Sequence, residues 1–238
     1  MPNQIIGDLY KELLQGLADL NQMKKIVERS FIKELEFIKR SEDIVNRDAY
    51  LFNNALTGQL EKYAFRDTTK EDLERLTFWH QNSQYCWLLM SAYERFEVFI
   101  KQAYKELAGR DFSTLNKTLI YFSDTFPKIK RAENKNPFEI NLRVAVHLVA
   151  KMRHTIAHNQ GSVSDISLFV NKVINGSGIS TNRKDHEEFV SQFIIENKIY
   201  ILERPVVDDS RLYRTHDMYR ILISYLISYA HLINHAAE

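Results

Sequence analysis

Apolar residues return at three- and four-residue steps near the start of this chain: Leu9, Leu13, Leu17 and Leu20, then Ile26, and later Phe31, Leu35 and Ile38. That spacing lines up one face of an α-helix. Glycine and proline, which break helices, number only 7 and 4 in 238 residues. Scarce breakers favour long helices over a many-turned β architecture. The length fits one large domain or a domain with an appended part. The expectation is a mainly all-α protein. Its helical bundle would occupy residues 67–238, preceded by a helical extension over residues 1–66. That extension would hold two or three helices between Ile5 and about Tyr63, with local breaks at Asp19 and Asn21.

Further along, Phe65 to Lys70 reads as a polar connector. Thr69 with Asp72 marks a helix start through a hydroxyl cap and an early acid. A long helix should follow to about Leu107, with Gly109 as its C-cap and Leu76, Trp79, Leu88, Tyr93, Phe96, Phe99 and Ile100 on its apolar face. A helix from Ser113 to Phe126 would be ended by Pro127. Lys128 to Asn136 reads as a basic loop, and Pro137 suits the first position of the next helix, which runs to about His158. Asn159 to Gly161 ends it. Ser162 to Val173 can form a short helix, and Gly176 and Gly178 mark a loop. Phe193 to Leu202 is the one β signal, a small hairpin turning at Asn197 and ended by Pro205. A last helix is expected from Asp217 to His235, with Tyr219, Tyr225 and Tyr229 in the core or an interface.

Composition removes several function classes. With 32 basic and 31 acidic residues the formal net charge is +1, so no global field draws the chain to polyanions or membranes. A local basic patch remains possible. The single cysteine, Cys86, allows no internal disulfide and no cysteine-based zinc framework; within Tyr-Cys-Trp-Leu-Leu-Met it reads as a buried small hydrophobe. The first residues lack the basic-then-apolar pattern of a signal peptide. The stretch Tyr219 to Ala230 is too short and too polar to span a bilayer. A cytoplasmic location, no membrane and no cofactor are the expectation.

Chemistry concentrates in Arg153-His154-Thr155-Ile156-Ala157-His158. At about 100° per residue, His147, His154 and His158 fall within about 40° of one another on a helix. One reading is metal binding, because His154 and His158 have the i, i+4 spacing of a zinc pair. The helical zinc-protease pattern needs a Glu directly after the first His, where this chain has Thr155. A second reading is acid–base chemistry on a phosphodiester. A neutral histidine accepts a proton near neutral pH, and an adjacent arginine holds a phosphate bidentately. These groups suffice for attack by an RNA 2′-OH, giving a 2′,3′-cyclic phosphate. A third reading is a helix end whose cations simply face the terminal carbonyls.

The six residues resemble the Arg-x4–6-His motif of the HEPN superfamily (higher eukaryotes and prokaryotes nucleotide-binding domains). His154 fits the polar residue that often follows the Arg, and Asn159 and Gly161 fit the residues trailing the His. Tyr93-Glu94-Arg95-Phe96-Glu97-Val98-Phe99 is similar to the family's first core helix. The resemblance covers about Asp72 to the C-terminus. It implies a helical bundle that dimerises, with two motifs meeting in a cleft, and a metal-independent endoribonuclease of toxin–antitoxin or phage-defence type. By that resemblance Arg153 binds the scissile phosphate, His158 is general base or acid, and His154 assists. Glu94 or Glu97 orients Arg153, and Asn159 supports the motif. Lys128, Lys130, Arg131 and Lys135 would be an RNA-binding lip or a solvated loop. RNA, a second copy of the chain, and an antitoxin or other protein are the implied partners. The family also contains noncatalytic modules that bind nucleotide, RNA or protein, which is the alternative. Gln160 stands where toxins paired with nucleotidyltransferase antitoxins often carry Tyr.

Overall fold

In the computed structural model the N-terminal periodicity forms one helix, α1 (Pro2–Arg40), rather than two or three. Asp19 and Asn21 do not break it because both face solvent, where a poor helix former costs only a fraction of a kcal/mol; Gln15 donates to the Asp19 carboxylate at 3.1 Å. The structure describes residues 2–41, 46–205 and 215–236. Ile6, Leu13, Leu17 and Leu20 are buried along one stripe of α1. Gly16 lies on the same side. A Cβ there would meet the Arg95 side chain at 2.9 Å from its Cδ, so the glycine is what lets that arginine lie against α1.

The larger correction concerns residues read as helix up to Tyr63. β1 (Asn46–Asn53) and β2 (Leu60–Thr68) form an antiparallel hairpin. Residues 42–45 of the expected helical stretch lie outside the described residues. The turn explains the hairpin. Asn54 Oδ1 accepts the Leu56 N–H at 2.8 Å, its amide donates to Glu61 at 2.9 Å, and Gly58 takes φ +67°, a conformation that favours glycine. Tyr63 on β2 meets both Tyr50 and Phe52 of β1 across the strands, the aromatic pairing that stabilises a two-stranded ribbon. The expected polar connector is the end of β2.

α2 (Lys70–Ala108) begins and ends where the sequence says. Thr69 Oγ1 accepts the Asp72 N–H at 3.2 Å, and Gly109 takes φ +64°. Two compact units result, one from residues 1–24 and 83–238 and the other from residues 25–82. This division differs from a boundary at residue 66.

In the first unit, α3 (Leu115–Thr125) leads to α4 (Pro127–Asn134). The basic stretch expected as a loop is therefore helical. Pro127 stops α3 and starts α4, since its missing N–H costs nothing at a helix's first position. Pro137, by contrast, lies in a turn. α5 (Leu142–Asn159) starts at an Asn141 cap that accepts the Arg143 N–H at 2.9 Å. α6 (Ile166–Ser177) and α7 (Arg183–Ser191) follow; α7 lacks a plain periodic signal. The hairpin β3 (Ile194–Ile195) and β4 (Lys198–Ile199) is present, with Glu196 and Asn197 both at positive φ. A second pair, β5 (Glu203–Pro205) and β6 (Thr215–Asp217), precedes α8 (Met218–Ala236), so Pro205 is a strand residue.

α5 is the central helix of this unit and packs against α4, α6 and α8. Val144, Ala145, Val146, Leu148, Val149 and Met152 are fully buried. Each large apolar side chain so buried contributes roughly 1.5–3 kcal/mol. The core also holds one polar knot. The Glu133 carboxylate accepts from Ser123 Oγ and from Tyr229 Oη, each at 2.7 Å, with Arg143 at 3.6 Å. Burial pushes the Glu133 carboxyl above the usual carboxylate range. The fold is therefore mainly helical, with three two-stranded antiparallel pairs among the described residues, the two small ones C-terminal. Among the described residues no helix is long and apolar enough to cross a membrane.

Candidate functional site

The motif occupies the last two turns of α5, and the chain after it is fixed by backbone geometry. Gln160 takes φ +52° in the left-handed region and its N–H returns to the Thr155 carbonyl. Gly161 follows at φ +79°, its N–H also reaching Thr155 at 3.2 Å. The small hairpin then pins this loop: Ile199 N–H donates to the Gly161 carbonyl at 2.9 Å, and Val163 N–H donates to the Asn197 carbonyl at 2.7 Å. The trailing Asn159-x-Gly161 is thus a helix stop held by β4, which orients the helix end carrying His158.

His154 and His158 are exposed, with ring centroids 4.5 Å apart. Arg153 is half-buried, and its Nη2 lies 3.5 Å from Glu94 Oε1 on α2. Its Nε is buried without a partner. Glu94 is therefore the carboxylate beside Arg153, whereas Glu97 pairs with Lys101 at 3.5 Å. Tyr93 is buried next to them; burial and then Glu97 push its phenol up, with Arg153 opposing. Partial desolvation, then the positive charges of Lys151, His158, Arg153 and Lys172, hold the His154 imidazole below its ordinary value. Neutral imidazole is the form that accepts a proton.

His147 differs from the other two despite sharing their face. Burial first, and Arg143 second, hold it down at about 4. Its Nε2 is buried without a partner, and a Cβ on Gly176 of α6 would stand 3.3 Å from its Nδ1. His147 belongs to the α5–α6 packing. The four basic residues of the expected lip are also elsewhere. α4 meets α5 through Glu133 with Arg143 and through Asn134 with Asn141, donated at 2.9 Å. That is the opposite end of an 18-residue helix, roughly 20 Å from His158 at 1.5 Å per residue. Lys130 there pairs with Asp124 at 3.4 Å. Lys128, Lys130, Arg131 and Lys135 are thus not brought to the motif.

Two basic residues that sequence reasoning missed are close by. Lys151 and Lys172 line a cavity of about 90 Å3 with Thr155, Asn159, Ser162, Ser164, Asp165 and apolar side chains. Burial and then the charge of Lys172 hold Lys151 below the ordinary lysine value. Lys151 has a local signal, one turn before His154. Lys172 has none, because α6 brings it there through packing. Among the described residues no group of three or more His, Cys, Asp or Glu side chains is gathered to hold a metal ion. No family model, curated protein or solved structure matches this chain.

Proposed function

We propose that this chain is a metal-independent endoribonuclease whose half-site is Arg153, His154 and His158, completed by the same residues of a second copy. The observation that carries the reading is two exposed, adjacent imidazoles beside a half-buried guanidinium on one helix end, with Glu94 as the carboxylate paired to the arginine. Such a set suits acid–base chemistry on a phosphodiester. A cation orients the nonbridging oxygens, and imidazoles move protons near neutral pH.

In the reaction, a neutral imidazole takes the proton of the 2′-OH as O2′ forms a bond to phosphorus. The bond from phosphorus to the 5′-oxygen breaks, and that oxygen receives a proton from an imidazolium. The products are a 2′,3′-cyclic phosphate and a 5′-hydroxyl. Arg153 offsets charge that grows on the phosphoryl oxygens. His158 is the base or acid and His154 assists; one protomer supplies two imidazoles 4.5 Å apart, and a facing protomer would supply the opposite proton-transfer group across the strand.

The test is cleavage of single-stranded RNA in EDTA by the wild type, Arg153→Ala and His158→Ala, with folding followed by circular dichroism. Loss of cleavage in both folded variants is expected. Unchanged cleavage in both would overturn the assignment.

A further inference from the structure

We infer that the cavity between α5 and α6 binds one phosphate group, carried by the nucleic-acid strand next to the phosphodiester at Arg153. The source of that phosphate rests on the ribonuclease reading; the pocket itself does not. From α5, Lys151, Thr155 and Asn159 line it at four-residue steps; from α6, Leu168 and Lys172 do so. His154 and His158 form the neighbouring stripe of α5, since residues three apart are about 60° apart around the helix. Around that helix the order is therefore Arg153, the two histidines, and the lysine cavity. A strand crossing the helix end meets a guanidinium, then the proton-transfer groups, then two ammoniums.

Charge argues for an anion. Lys151 and Lys172 act on one another as like charges and both act on His154. Among the described residues neither has a carboxylate partner. The one carboxylate in the lining, Asp165, already caps α6 by accepting the Leu168 N–H at 2.8 Å. Two ammoniums lining one pocket make it locally positive, so an occupant with negative charge is favoured there. The same lysines disfavour a metal cation.

Size and donors narrow the anion. About 90 Å3 is room for roughly three waters by their share of liquid volume, which is enough for one phosphate group. Phosphate oxygens are acceptors only, and Ser162, Ser164 and Asn159 add neutral donors to the two lysines. A phosphate at this place is also the group best able to raise the depressed imidazole of His154, by offsetting the cations that hold it down.

The experiment uses a short 2′-O-methyl RNA oligonucleotide, which lacks the attacking hydroxyl, so that binding is read apart from cleavage. Its affinity is measured by fluorescence anisotropy against salt for the wild type, Lys151→Gln, Lys172→Gln and the double variant. Inorganic phosphate is titrated in parallel while His154 is followed by NMR. We expect the double variant to bind the oligonucleotide at least about 10-fold more weakly, with the log–log salt slope reduced by about 0.7, the signature of one phosphate contact on a single strand. Lysine-to-arginine variants should restore binding. If the wild type never cleaves RNA but the lysine variants still weaken oligonucleotide binding, the pocket stands and the ribonuclease reading falls. If the oligonucleotide is unaffected while phosphate no longer shifts His154 in the variants, the pocket takes a free phosphate and the strand is overturned as its source. Equal binding of both probes by wild type and double variant overturns the proposal.

Discussion

The molecule contains the same histidine spacing twice among the described residues, and the two copies have different surroundings. His154 and His158 stand near the end of α5 with rings 4.5 Å apart, and His231 and His235 stand near the end of α8 with rings 4.2 Å apart. The second pair packs on Tyr10 of α1, whose ring is 6.0 Å from that of His231 and whose hydroxyl lies 3.3 Å from its Nδ1. Beside it is an apolar groove with Pro137, Phe138, Leu142 and Leu232. In the first pair, His154 is within the influence of the charges of Arg153, Lys151 and Lys172. Spacing on a helix brings two imidazoles together; the groups supplied by neighbouring elements decide whether their surroundings are cationic or aromatic.

The contrast breaks most directly at the arginine. Arg153→Ala should lower RNA cleavage by about 100-fold or more, the scale of a lost transition-state contact or proton-transfer partner. His231→Ala should leave the rate within about twofold. Equal losses at the two helix ends, read from initial rates, would remove the distinction.

A third histidine sharpens it. His147 shares the face of His154 and His158 yet is held at about 4 against an ordinary 6.5, so the folded chain refuses a proton that the unfolded chain takes up. Its folded value is depressed, so stability is fully present above pH 6.5 and falls as pH drops from about 6.5 to about 4. The loss is on the order of 3 kcal/mol. Urea titrations across that range should show this slope in the wild type and a flatter one in His147→Gln.

At the second pair, Tyr10→Phe removes one exposed hydrogen bond, worth about 0.5–1 kcal/mol at most. The melting temperature should fall by a few degrees or less, with cleavage unchanged. The smallest effect is electrostatic. Lys151→Gln removes one of the cations that depress His154, so its NMR titration midpoint should move up.

The sequence made the helices legible where burial and caps agree. Thr69 and Gly109 bound α2, Asp217 opens α8 by accepting the Arg220 N–H at 2.9 Å, and the isoleucines, Phe193 and Tyr200 on either side of Asn197 mark the hairpin. It failed where local pattern and long-range structure part. The hairpin from Asn46 to Thr68 was hidden because Leu, Lys and Glu in it suit a helix as well as a strand, and the deciding bonds belong to the Asn54 turn. The basic stretch after Pro127 was misread because its apolar anchor is one residue, Ile129, which is fully buried. At the site, Arg153, His154 and His158 were legible as neighbours on one helix. Glu94 over Glu97 was not, since it depends on how α2 packs. Lys172 was invisible for the same reason: only the fold of α6 onto α5 brings it to the motif.

The central claim is tested most directly by the ends of the RNA products. Single-stranded RNA is incubated in EDTA with wild type, His158→Ala and His235→Ala, and the termini are identified by mass spectrometry. The account predicts 2′,3′-cyclic phosphate and 5′-hydroxyl ends from the wild type and His235→Ala, and no products from folded His158→Ala. Products from His158→Ala at the wild-type rate, or 5′-phosphate ends from any of the three, would contradict it.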